Sequence, residues 1–185
     1  MVAAIVVSLA ALAVFLITGR FSLGPTARNE VTLLDGLVDT SAPRNSAANA
    51  EATECGAGDL ELLPVTDKNS YGPGELPKLS LTLENTGKAT CYYDVGTSQM
   101  IFEISSGAEM VWLSTHCQTE ADHRLVLLKP GQKVESAPLE WQRQRSTEDT
   151  CNDDRPDAIA GGAAYHLRVG LGELPGKSSV QFLLY

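Results

Sequence analysis

The sequence has no Cys-x-x-Cys pair, no His-Glu-x-x-His, no Gly-x-Ser-x-Gly elbow and no phosphate-binding glycine loop. Those absences remove the commonest metal, hydrolase and nucleotide signatures. Gly170-Leu171-Gly172 followed by Gly176 misses the dinucleotide fingerprint by one place and falls inside strand-like sequence. Positive charge is scarce: 14 Lys and Arg stand against 23 Asp and Glu, for a net charge of −9. From Cys55 onward, eleven Lys and Arg face eighteen Asp and Glu and leave −7, so the acidity belongs to the carboxyl-terminal part. Such a surface repels phosphate backbones and anionic headgroups, which argues against nucleic acid and against surface binding to membranes. After residue 54 no stretch is long and periodic enough for a helix.

Strand patterns fill that helix-free part. Leu79, Leu81 and Leu83 alternate with Ser80, Thr82 and Glu84, the period of a half-buried strand, and Asn85-Thr86-Gly87 then turns the chain. Further strands are expected at Leu60 to Val65, at Cys91 to Val95 and at Gln99 to Ile104. Tyr71-Gly72-Pro73-Gly74 reads as a type II turn. Ser105-Ser106-Gly107 should reverse the chain into Glu109 to Leu113, a hairpin presenting Trp112. Arg124 to Leu128 and Val134 to Trp141 are expected to pair through the Lys129-Pro130-Gly131-Gln132 turn. The last pair is Tyr165 to Leu171 and Val180 to Leu184, joined through Leu174-Pro175-Gly176-Lys177. The resulting expectation is an all-β sandwich of 7–9 antiparallel strands over residues 55–185.

The amino terminus is different. Residues 1–18 carry no charge, which is about the length of a membrane-spanning helix. No Lys or Arg precedes the run, and the first small-x-small match, Ala48-Asn49-Ala50, lies too far downstream for a signal peptide. The expectation is an uncleaved single-pass anchor over 1–20, then a flexible stalk over 21–54 spanning roughly 30 Å. Arg20 and Arg28 would place the carboxyl side in the cytoplasm by the positive-inside rule. The cysteines oppose that orientation and outweigh it; a basic leader ahead of Met1 would reconcile the two.

Cys55, Cys91, Cys117 and Cys151 all lie in the expected domain, and an even count beside an export signal reads as disulfides. Three pairings are open. Cys55 with Cys91 would tie the incoming strand to the strand after the turn, and Cys117 with Cys151 would tie two polar loops. Each such loop is worth up to roughly 4 kcal/mol by chain entropy. A zinc site from His116, Cys117, His123 and Cys151 is the alternative use, without the usual ligand spacing. Glu148, Asp149, Asn152, Asp153, Asp154 and Asp157 could gather oxygen ligands for calcium, but not at the spacing of an EF-hand loop. His116, His123 and His166 are the candidate bases, and no partner residue can be named for any of them. No catalytic residue, resident metal or cofactor is therefore expected.

Gly161-Gly162-Ala163-Ala164-Tyr165-His166-Leu167 resembles the tyrosine corner of immunoglobulin-type sandwiches, with Leu167 where antibody domains carry a cysteine. The order Cys55, Tyr71 with Gly74, Asn85-Thr86-Gly87, Cys91, Gly107 with Trp112, Leu128-Lys129-Pro130-Gly131 and Trp141 is similar to two families. It looks like the immunoglobulin-like ectodomains of unknown function that actinobacterial envelope proteins carry behind one anchor. It also resembles, more distantly, the intracellular proteinase inhibitor domain, a β-sandwich; this chain departs from that pattern in its export features and in lacking a marked reactive loop. These are motifs of turns and core positions, so the resemblance implies architecture more than activity. The expected function is a non-catalytic, membrane-tethered, extracytoplasmic binding or scaffolding module. Its expected partner is another envelope protein or a cell-wall component. A protease inhibitor and a calcium- or zinc-dependent protein are the alternatives.

Overall fold

The computed structural model describes residues 52–185. The expected anchor over 1–20, and the stalk up to residue 51, lie outside the described residues. Among these residues no helix is long and apolar enough to cross a membrane. Apart from short 3-10 turns at Ala57–Asp59 and Ser114–Cys117, their regular structure is all β.

Among the described residues thirteen strands form three sheets. One holds β4 (Lys78–Asn85) between β2 (Leu60–Thr66) on one side and β9 (Lys133–Glu135) with β10 (Leu139–Glu140) on the other. The largest runs in the order β3 (Ser70–Tyr71), β13 (Val180–Leu184), β11 (Ala163–Leu171), β6 (Met100–Ser106), β7 (Glu109–Leu113), and β12 (Leu174–Pro175) also pairs β11. A small third sheet joins β1 (Thr53–Glu54), β5 (Cys91–Asp94) and β8 (Leu125–Leu128). The count exceeds the expected 7–9 because β9/β10 and β12/β13 are interrupted strands, and β1 and β3 are two-residue additions. The pairing is not purely antiparallel: β1 runs parallel to β5, and β3 parallel to β13.

Two expected hairpins form differently. Strands β8 and β9 flank the Lys129–Gln132 turn, yet β8 pairs β5 and β9 pairs β4, in separate sheets. The turn itself docks on Asn85, whose N–H donates to Gln132 O and whose carbonyl accepts from Gly131. Nor does the final reversal use Leu174–Lys177. It occurs at Gly172-Glu173, where Gly172 has φ 58, a conformation only glycine adopts freely. Gly176 and Lys177 instead leave the ladder and donate to Val169 O and Leu62 O. The expected Val134–Trp141 strand breaks before Pro138, which has no N–H to give. Ser136 bridges the gap, its N–H donating to Leu81 O and its hydroxyl accepting from Leu81 N–H. The turn read at Tyr71–Gly74 lies one residue later, with Glu75 N–H closing on Gly72 O, and β6 and β7 join through Gly107 and Ala108 as expected.

Period-2 patterning explains the core. Leu60 and Leu62 of β2 and Leu79, Leu81 and Leu83 of β4 turn one face inward. Phe102 and Ile104 of β6, alternate residues Tyr165 to Leu171 of β11, and Phe182 and Leu184 of β13 supply the other wall of this sandwich-like core. Pro64 sits in β2, an edge strand, where its missing N–H costs no ladder bond. Tyr71, Trp141, Tyr165 and Phe182 form an aromatic cluster with centroids 5.6–6.1 Å apart. The Tyr165 hydroxyl donates to Ile159 O, six residues upstream, at 2.7 Å.

Leu81 is 2% exposed and Thr82, on the opposite face, is half-buried. Leu81→Ala is expected to cost about 3 kcal/mol by cavity formation, and Thr82→Ala less than about 1. Urea melts with the bridges intact measure both; a larger loss for Thr82→Ala would mean that the register of β4 is reversed.

Candidate functional site

Cys55 bonds Cys91 and Cys117 bonds Cys151, the sequential pairing of the three, with Cα–Cα distances of 4.9 and 5.3 Å. The first bridge is buried, both sulfur residues being 6% exposed, and fixes the incoming chain to β5. The second is half-exposed and ties the segment after β7 to the long loop between β10 and β11. With both sulfurs oxidised, neither Cys117 nor Cys151 can ligate zinc as a thiolate.

The histidines go to three separate tasks. His123 Nδ1 donates to Asp94 Oδ2 at 2.6 Å and also lies 3.1 Å from Ser98 Oγ. This resembles a catalytic triad in composition only. A triad needs the carboxylate on one ring nitrogen and the hydroxyl on the other, whereas here both address Nδ1. Burial would raise the Asp94 carboxyl, but bonds from His123 and from the Gly96 and Arg124 N–H groups outweigh it and hold it below the usual range. The Thr97 hydroxyl and N–H do the same for Asp122. The cluster thus clamps the 94–98 turn to the 122–124 segment. His116 Nδ1 lies 2.9 Å from Ser146 Oγ, and His166 stands on the outward face of β11. The acidic-loop residues Glu148, Asp149, Asn152, Asp153, Asp154 and Asp157 are exposed, and no three metal-ligating side chains converge among the described residues.

Two concavities stand out among the described residues. A hollow of about 410 Å³ beside the buried bridge is lined by Thr53, Glu54, Asp59, Thr86 and Lys88 among others, with no aromatic ring. A smaller cleft of about 210 Å³ opens between the free side of β7 and β10. Both tryptophans of the chain line it, together with Glu140, Gln142, Gln144 and Arg155. The loop from Gln142 to Ala158 makes its third wall and is held at several points. The Trp141 indole N–H donates to Gln144 O, Gln144 bridges Asp157, and Ser146 seals the free side of β7. Ser146 N–H donates to Val111 O, and its hydroxyl accepts from Leu113 N–H. The half-exposed bridge anchors the same loop. Of the lining residues only the tryptophans and Cys117 draw notice in the sequence; the cleft is assembled by the sheet edge and the bridge.

No family model matches the chain, and comparison with curated protein sequences gives no match. Among solved structures, a β-glucosidase from Erythrobacter marinus aligns with a TM-score of 0.37 at 13% identity, over 67% of this chain and 15% of that one. A β-glucosidase from Listeria innocua in complex with isofagomine aligns at 0.36 and 12%, over 68% and 16%. The sporulation control protein Spo0M from Bacillus subtilis aligns at 0.36 and 13%, over 69% and 49%. The chain therefore spans about a sixth of those glucosidases and half of Spo0M, and likenesses of this strength carry no argument about activity.

Proposed function

We propose that the chain is a membrane-tethered, extracytoplasmic, immunoglobulin-like module of the cell envelope that binds or scaffolds and does not catalyse. The observation that carries this reading is the pair of closed disulfides in a β-sandwich-like domain that follows an uncharged 18-residue run. Disulfides persist in oxidising compartments, and the run is long enough to anchor the chain beside one. Support for the immunoglobulin-like assignment comes from strand order. Strands β13, β11, β6 and β7 occupy the places of G, F, C and C′, while β2, β4 and β9 occupy those of A, B and E. The Tyr165 to Ile159 bond has the form of the tyrosine corner. One strand departs, since β8 pairs β5 in the third sheet and not β9. Against catalysis stands the His123 cluster, where the hydroxyl and the carboxylate compete for one nitrogen.

The test is topological. The full chain with a carboxyl-terminal tag should stay with membranes through high-salt and alkaline washes. Its tag should also be cleaved by protease added to intact cells. Release into the soluble fraction, or a tag protected until lysis, would sink the reading.

A further inference from the structure

We propose that the cleft between β7 and β10 is a binding site for one neutral sugar ring of a glycan, with Trp112 as its platform and the Cys117–Cys151 bridge holding its third wall. The inference deepens the binding-module reading and rests on it. Three observations carry it.

The first is unspent hydrogen-bonding capacity. Trp141 gives its indole N–H to Gln144 O, but the Trp112 N–H has no acceptor among the described residues. Since no fully buried side-chain nitrogen or oxygen among the described residues lacks a partner, the Trp112 N–H is not fully buried. The side chains of Gln144 and Arg155 are likewise unpartnered among the described residues. The second is charge. Glu140 and Arg155 line one cleft and oppose each other in sign, so the site favours neither an anion nor a cation. What remains is a half-buried indole with amide donors and acceptors, which suits a neutral ring having an apolar face and a rim of hydroxyls. The third is size: about 210 Å³ admits one such ring with the rest of its chain in solvent. The larger hollow beside the buried bridge lacks an aromatic platform altogether.

The bridge sets the geometry. Cys117 lines the cleft, and Arg155 follows Cys151 closely in the same loop. Opening this half-exposed bridge should therefore loosen the wall while the buried Cys55–Cys91 bridge still holds the incoming chain to β5.

The experiment uses the full chain, ¹⁵N-labelled and held in a zwitterionic detergent without a sugar headgroup. Two tryptophans give two indole N–H resonances, and Trp112→Phe identifies one by its loss. A panel of neutral gluco-, manno-, galacto- and N-acetylglucosamine oligosaccharides is titrated in. At least one should move the Trp112 resonance saturably, with a Kd of about 1 mM, and move it further than the Trp141 resonance, whose N–H is held by Gln144 O. Arg155→Ala and the Cys117→Ser/Cys151→Ser pair should each weaken binding about tenfold, and Lys88→Ala beside the other hollow should not. Three results overturn the proposal: no saccharide moves the Trp112 resonance, the shift survives Arg155→Ala unchanged, or a uronic acid outcompetes its neutral counterpart. Each leaves the topological test untouched, so failure here is distinguishable from failure of the tethered-module reading.

Discussion

Replacing Asn85 by Ala should destabilise the folded domain by about 4 kcal/mol, more than truncating a core leucine. Asn85 ends β4 and is 0% exposed, yet its side chain is fully used. Its Nδ2 donates to Ala89 O and to Leu128 O, both at 2.9 Å, and its Oδ1 accepts from Gly87 N–H. Its backbone meanwhile holds the Lys129–Gln132 turn through Gln132 O and Gly131 N–H. One residue therefore joins three segments: the end of β4, the approach to the buried bridge at Cys91, and the end of β8. Alanine would leave the Ala89 and Leu128 carbonyls without the amide and the Gly87 N–H with only Asp59 O, and a buried unsatisfied group costs about 1–3 kcal/mol. Asn85→Asp should fare no better, because a carboxylate would face the Ala89 and Leu128 carbonyls. The neighbouring Thr86 is exposed, and Thr86→Ala should stay within about 0.5 kcal/mol. Urea unfolding of the oxidised proteins measures all three; a loss below about 1 kcal/mol for Asn85→Ala would remove Asn85 from this role.

Asn85 also shows where sequence reading succeeds and where it stops. The Asn-Thr-Gly turn is legible because an asparagine side chain bonding its own backbone two residues on is a local event. The same side chain reaching Leu128 O is not local, and no pattern announces it. The alternating leucines of β4 are legible for the same reason, since their period needs no partner to be visible. Strands β1 and β3 are two residues long and carry no period, so they exist only through the strands they join. The misread β8–β9 hairpin follows from this limit. Lys129-Pro130-Gly131-Gln132 is a good tight turn locally, but a turn does not decide which sheet its flanks enter. That choice lies with β5, held by the Cys55–Cys91 bridge, and with β4, each reached from far away in the chain.

The candidate site divides along the same line. An even count of four cysteines suggests disulfides, though not their pairing. The cleft is different: Trp112, Glu140 and Arg155 come from β7, β10 and a loop, and only the packed sheet edge and the second bridge bring them together. The histidines, the residue type that invites a catalytic reading, prove to be tied to turns and to a strand surface.

The second large effect is expected at Trp141. Trp141→Ala should cost about 4–5 kcal/mol, because the indole is 1% exposed and packs edge-on against Tyr165 and Phe182 at 5.6 and 6.1 Å. The hole would open where Tyr71 and Tyr165 meet the end of β13, so neither sheet could collapse alone to fill it. Trp141→Phe separates packing from hydrogen bonding. It keeps much of the ring but drops the N–H to Gln144 O, and should cost about 1–2 kcal/mol beyond its smaller volume change. Because Gln144 lies near the start of the loop that walls the cleft, two residues before Ser146 on the free side of β7, the Phe variant should also loosen that loop. Hydrogen exchange at Leu113 N–H, which donates to Ser146 Oγ, reports this directly. Faster exchange there, with the β11 ladder unchanged, is the expected result. Unchanged exchange at Leu113 would show that the Trp141–Gln144 bond is not what holds the loop in place.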